Sequence, residues 1–167
     1  MERQEKIDDN LANIKTLVVR KLIEKNITIT TMESCTGGAL ISAITDIEGA
    51  SSITEGGFVT YSNEQKVKIG VSKEIIDNYG VYSNETAINM AKVCTELMNS
   101  AIGIGITGTL SNVDPNNSDS VQGEVYFCIN YCGNSQVVRK IKVPIDSRHE
   151  QKNFIISNIF EELNKLI

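Results

Sequence analysis

Between residues 5 and 24 the apolar side chains Ile7, Leu11, Ile14, Val18 and Leu22 recur every three or four positions, with charged and amide residues between them. That spacing predicts an amphipathic helix with one face on a core. Asn26 ends it, and the β-branched run Ile27-Thr-Ile-Thr-Thr31 predicts a strand. Past Gly37-Gly38, the block Ala39-Leu-Ile-Ser-Ala-Ile44 predicts a short buried helix, spanning Thr36 to Thr45 and opening immediately after Ser34. Gly56-Gly-Phe-Val-Thr-Tyr61 predicts a second strand that runs into a Ser-Asn-Glu helical cap.

Residues 72–79 predict a small helix stopped by Gly80. Residues 83–98 predict a longer one whose apolar stripe is Ala87, Met90, Ala91, Cys94 and Leu97. Ala101-Ile-Gly-Ile-Gly-Ile106 predicts a central strand whose glycines leave room for a close neighbour. Two further strands, 124–132 and 136–143, are joined by Gly133-Asn134 as a hairpin turn. From Arg148 onward Ile155, Ile156, Ile159, Leu163 and Leu166 mark the buried side of a last helix. Helices interleaved with strands predict an α/β fold: a three-layer α/β/α domain with a mostly parallel sheet and an antiparallel edge hairpin. One domain over residues 1–167 suits the chain's 18.3 kDa. The stretch 111–120 is a polar loop.

Composition narrows the function class. No apolar run of 18 residues is present, so no membrane-spanning segment and no membrane partner are expected. Met-Glu-Arg-Gln-Glu at the start lacks the basic flank and apolar stretch of an export signal, which predicts a cytoplasmic address. A formal charge of -5 argues against a nucleic-acid partner but leaves room for a local patch that holds one small anion. Cys35, Cys94, Cys128 and Cys132 form no C-x-x-C pair, and Cys128 and Cys132 fall on one strand face with no histidine partner. Buried free thiols are expected, with no metal or disulfide.

The chemistry concentrates in two polar clusters. Thr31-Met-Glu-Ser-Cys-Thr-Gly-Gly38 puts the Ser34 hydroxyl at a strand-to-helix junction, where free N–H groups and a helix terminus can stabilise a developing anion. Thr36, Gly37 and Gly38 would let a substrate approach those amides. Locally, Ser34 or Thr36 reads equally well as a helix cap. Tyr61-Ser-Asn-Glu-Gln-Lys66 can supply a base, since a desolvated lysine is neutral enough to activate a hydroxyl. The plain alternative for Lys66 is a solvated surface cation. Tyr61 can relay a proton or hold Ser34 and Lys66 in register, or be a core residue with a wet hydroxyl. Glu33 either orients a lysine or forms an exposed ion pair. The one histidine, His149, lies in a polar segment and suits a surface or capping role, which weakens a Ser-His-Asp triad. Thr107-Gly108-Thr109 follows the glycine-rich strand, where its N–H groups can cradle phosphate. Arg148 can grip an anion or stand exposed.

In order along the chain, Glu33-Ser-Cys-Thr-Gly-Gly38, Gly49-Ala-Ser-Ser52, Gly57-Phe-Val-Thr-Tyr-Ser-Asn-Glu-Gln-Lys66 and Gly80-Val-Tyr-Ser83 resemble the CinA C-terminal domain family. Thr107-Gly108, Gly123-Glu-Val-Tyr126 and Arg148 extend the likeness over nearly the whole chain. Active members of that family are nicotinamide mononucleotide deamidases (PncC-like enzymes). The resemblance implies a serine/lysine amidohydrolase that leaves nicotinate mononucleotide and ammonia. Ser34 would be the nucleophile, Lys66 its base and Tyr61 an auxiliary hydroxyl. Glu33, Thr36, Gly37, Gly38, Thr107, Gly108 and Arg148 would bind substrate, with no cofactor and no metal. The partner implied is a small nucleotide, and a sheet edge left open by the hairpin points to a homo-oligomer.

The segment after Thr107-Gly108 departs from the family's glycine-rich, partly basic turn. Asp114, Asn116, Asn117 and Asp119 give it an acidic and amide character, and Gln151 stands where the family tends to have a second arginine. Two other functions therefore stay in view: a non-catalytic nucleotide-binding module, and a serine amidase acting on a different small amide.

Overall fold

The structure, a computed structural model, describes residues 2–167, with side chains from residue 9 onward. Helix α1 (Glu2–Glu24) buries Val18, Val19 and Leu22 completely and packs Leu11 and Ile14 against the same core. Ile7, assigned to that face by the sequence pattern, lies outside the residues whose side chains are described. Strand β1 (Ile29–Glu33) follows, set slightly later than the β-branched run implied. Helix α2 (Ala39–Thr45) begins three residues beyond Thr36. The delay has a backbone cause: Gly37 (φ 61) and Gly38 (φ 95) occupy the left-handed region and cannot form a helical first turn.

Strand β2 is reduced to Phe58–Val59, and helix α3 (Asn63–Ile69) starts at a Ser62 cap whose hydroxyl accepts from the Gln65 N–H. Helices α4 (Lys73–Tyr79) and α5 (Asn84–Met98) open on Ser72 and Ser83 caps. Strands β3 (Ile102–Gly108), β4 (Glu124–Tyr131) and β5 (Asn134–Lys142) lead to helix α6 (Arg148–Leu166).

The sheet order is β2-β1-β3-β4-β5, parallel across β2-β1-β3 and antiparallel across β3-β4-β5. Helices α1, α2 and α6 cover one face and α4 and α5 the other, giving three layers around a mixed sheet. No helix among the described residues is long and apolar enough to cross a membrane.

Strand β3 explains why the layers sit where they do. Ile102, Ile104 and Ile106 point into the α1/α2/α6 core. Gly103 and Gly105 face α5 instead, where an added Cβ would meet backbone or side-chain atoms of that helix at 2.0–2.6 Å. The close neighbour of these glycines is a helix, not a ligand.

Three local expectations change. Leu97 is 56% exposed, and the buried line of α5 ends at Cys94, followed by the half-buried Thr95, whose hydroxyl donates to the Ala91 carbonyl and accepts from Asn130 Nδ2. The hairpin turn is Cys132-Gly133 rather than Gly133-Asn134; both residues are left-handed (φ 50 and 82), as a tight turn matched to strand twist requires. Cys132 is accordingly exposed at that turn, while Cys35, Cys94 and Cys128 are buried free thiols.

Candidate active site

Because β1, β2 and β3 are parallel, their C-terminal ends open at the same edge of the sheet, where α/β proteins place ligands. Ser34 is the first residue past β1, still pinned to the ladder by its N–H on the Ile106 carbonyl at 3.0 Å. Beside it, the Thr60 N–H donates to the Glu33 carbonyl at 2.9 Å and delivers the chain to Tyr61 and α3.

Lys66 lies on α3, and helical Cα–Cβ bonds tilt toward the N-terminus, so its chain runs back under the start of its own helix. It is only 1% exposed. Its Nζ donates to Ser34 Oγ at 3.1 Å and to the Thr60 carbonyl at 2.8 Å. No carboxylate forms an ion pair with it among the described residues. Burial lowers its pKa to about 8, opposed by Cys35 and Asp114. A buried amine near neutrality beside a hydroxyl is the physical requirement for a lysine base.

Cys35 is the neighbouring nucleophile in name only. Burial pushes its thiol up to about 12, so no reactive thiolate competes with Ser34.

Glu33 is fully buried and neither orients Lys66 nor forms an exposed ion pair. Its carboxylate accepts from the N–H groups of Gly38, Leu40 and Ile41 and from the Thr31 hydroxyl. The start of α2 thus already holds an anion, the chain's own.

A cavity of about 480 Å³ opens over Ser34. Tyr61, Gly108 and Arg148 line it, together with Tyr82, Asn63 and, from the polar loop, Asn112, Val113, Asp114, Asn116 and Asn117. Arg148 Nη2 donates to the Tyr61 hydroxyl at 3.2 Å, and Tyr61 is 64% exposed, at the rim and bonded to neither member of the Ser34–Lys66 pair.

Besides Glu33, four of the predicted binding residues lie off the cavity wall. Thr36 is fully buried; its hydroxyl has no partner among the described residues. Gly37 sits under Lys152, whose Nζ would be 3.5 Å from an added Cβ, and the Gly38 N–H belongs to Glu33. Thr107 donates to the Val81 carbonyl at 2.9 Å. Of the N–H groups expected to cradle phosphate after β3, that of Thr109 is already taken by the Glu124 carbonyl at 3.0 Å. Gly108 is required by β4, where a Cβ would lie 2.5 Å from the Glu124 carbonyl oxygen.

Sequence reasoning missed a polar network in the cavity wall. The Tyr82 hydroxyl donates to Asp114 Oδ2 at 2.7 Å, and Asn63 Nδ2 donates to Asn117 Oδ1 at 2.7 Å. Asn117 Nδ2 also donates to Asp114, and the Tyr82 N–H donates to Asp119 Oδ2 at 3.0 Å. Tyr82 precedes the α5 cap and carries no local mark of this pairing, which spans 32 residues. Gln151 is buried, accepting from Ser111 Oγ and donating to the Pro144 carbonyl. His149 is exposed beside Asn153 on α6. No group of three or more His, Cys, Asp and Glu side chains among the described residues is arranged to hold a metal ion.

A family model described as the CinA C-terminal domain matches residues 11–167. Among relatives described as competence-damage inducible proteins, that of Acetivibrio thermocellus is 31% identical over 155 residues, covering 92% of this chain and 37% of the relative. That of Clostridium acetobutylicum is 34% identical over 176 residues, covering 100% and 42%. The chain therefore spans about two fifths of the length of these relatives. A solved competence-damaged protein (CinA) superfamily protein from Escherichia coli superposes with TM-score 0.84 at 26% identity, over 94% of this chain and 90% of that one. A competence or damage-inducible protein from Enterobacter asburiae gives 0.85 at 25%, over 94% and 98%.

Proposed function

The chain belongs to the CinA C-terminal domain family, and from that membership we propose that it is a serine/lysine amidohydrolase converting nicotinamide mononucleotide to nicotinate mononucleotide and ammonia. Family and fold are consistent with hydrolase activity. The observation that carries the reading is the buried Lys66 amine 3.1 Å from Ser34 Oγ.

In the neutral form, the Lys66 lone pair takes the Ser34 proton as Oγ attacks the carboxamide carbon. The carbonyl oxygen becomes an oxyanion beside the turn that follows Ser34. There the Gly37 N–H goes to the Ser34 carbonyl and those of Gly38 and Leu40 to Glu33, which leaves the N–H of Cys35, a residue of the cavity wall, as its donor. Lys66, now an ammonium held on the Thr60 carbonyl, returns the proton to the departing nitrogen and ammonia leaves. Water then attacks the acyl-enzyme, gives its proton to Lys66, and Ser34 is regenerated as the carboxylic acid departs. Arg148 at the mouth supplies the cation for the substrate phosphate.

A second reading, a serine amidase for an unphosphorylated amide, is favoured by Asp114, whose carboxylate lines the same cavity and opposes a dianionic group. Ammonia release from nicotinamide mononucleotide, nicotinamide riboside and nicotinamide separates the cases. Fast release from the mononucleotide alone is expected. Release from the unphosphorylated amides favours the second reading, and tight binding without ammonia marks a binding module.

A further inference from the structure

Among the described residues, the side chains lining the cavity that carry formal charge are Arg148 and Asp114. The Asp114 carboxylate accepts from the Tyr82 hydroxyl at 2.7 Å, from the Asn116 N–H at 2.9 Å and from Asn117 Nδ2. These donors, Tyr82 foremost, hold its carboxyl below the usual range, so it is an anion at neutral pH. All of them are neutral, and no Lys, Arg or His forms an ion pair with Asp114 among the described residues. Its charge is thus oriented but not cancelled.

Nor is it free to swing aside. The Asp114 N–H donates to Ser120 Oγ at 2.6 Å, Asn117 is tied to Asn63 at the start of α3, and Asp119 is tied to the Tyr82 backbone. The loop is therefore tied to two other residues of the cavity wall, Asn63 and Tyr82. The field of Asp114 reaches the catalytic pair, where it opposes the lowering of the Lys66 amine. A ligand ring lodged at Ser34 sits in that same field, while Arg148 waits at the rim for a group of opposite sign.

We propose that Asp114 is a specificity-determining residue, selecting carboxamides whose ring is positively charged (a quaternised pyridinium) over neutral rings of the same shape. The proposal rests on the nucleotide-amide reading above and refines its substrate class. A fixed, uncompensated anion costs nothing extra to reorganise when a cationic ring arrives, whereas a neutral ring displaces water from it without return.

The test compares binding of nicotinamide mononucleotide and its 1,4-dihydro form, which keeps the carboxamide, ribose and phosphate but has an uncharged ring. Calorimetry is run in a Lys66→Met background so that nothing turns over, with Ser34→Ala as a second background should the first fold poorly. With Asp114 present the oxidised form is expected to bind about tenfold tighter, the scale of one partly screened charge pair. Asp114→Asn should remove that preference by weakening the oxidised form alone. Tyr82→Phe, which keeps the charge but removes the donor that orients it, should reduce the preference. An unchanged ratio in the Asn variant, or equal binding of both forms with Asp114 present, overturns the role of Asp114 and leaves the amidohydrolase reading standing. Failure of both forms to bind overturns both.

Discussion

The amine of Lys66 meets the hydroxyl of Ser34 at 3.1 Å, across 32 residues of sequence and with Lys66 1% exposed. In the proposed mechanism a desolvated amine and an alcohol held this close would act as base and nucleophile, with bulk water kept from between them. The pairing rests on the two polar turns that follow β1 and β2, brought side by side by parallel strands.

Lys66→Met keeps the length and apolar stem of the side chain but removes the proton acceptor. Ammonia release should fall by about 10²–10⁴-fold, the usual contribution of a general base, with ligand affinity within a fewfold of the parent. Thermal unfolding and calorimetry check the fold; turnover close to the parent's would remove Lys66 from the mechanism.

Activity should rise with pH around a midpoint of about 8, because Lys66 must be neutral to accept the Ser34 proton. Stability is tied to the same proton. The folded amine titrates near 8 and the unfolded one near its ordinary 10.5, so between those values the unfolded chain binds more protons and stability increases with pH. Below about 8 the unfavourable contribution is fully present, and above about 10.5 it is gone. Urea midpoints across that window should climb more steeply for the parent than for Lys66→Met. Parallel curves would contradict the shift.

Arg148→Ala should raise KM for nicotinamide mononucleotide about tenfold and leave kcat within a fewfold, since a rim cation acts on a remote part of the substrate. KM for nicotinamide riboside should not move. An equal loss for both substrates would place Arg148 elsewhere in the reaction.

Glu33→Gln tests the internal anion at α2. Three backbone donors and one hydroxyl converge on the buried carboxylate, and an amide would turn one of its own donors toward them. A loss of about 2 kcal/mol in urea unfolding is expected. No loss would mean that the start of α2 is satisfied some other way.

Gly105→Ala should destabilise by about 3 kcal/mol, because its Cβ would stand 2.2 Å from the Ala87 carbonyl oxygen and 2.6 Å from the Ala91 nitrogen. Denaturant unfolding measures it directly, and a neutral result would show that α5 can back away from β3.

Much of the fold was legible because its signals are local. The 3.6-residue periodicity of α1 and α6 and the alternation Ile102-Gly-Ile-Gly-Ile106 each state which face is buried. Ends were less legible: Gly37 and Gly38 delayed α2, and Cys132 joined the turn, because backbone handedness rather than hydropathy decides such positions. Ser34, Lys66 and Arg148 were marked by motif and spacing. The roles of Glu33, Gly103 and Gly105 were not, since a carboxylate folded onto its own helix and a glycine under a neighbouring helix look, in sequence, like ligand-facing residues.

The order of residues by itself determined the alternation of layers, the Ser62 cap and the presence of a hydroxyl and a lysine in two polar turns. Only the tertiary structure decided that this lysine is dry, that Asp114 faces the same cavity as Arg148, and that the start of α2 is already occupied. Those three facts depend on distances between segments far apart in the chain. Desolvation and electrostatic fields act through space, so no local pattern can carry them.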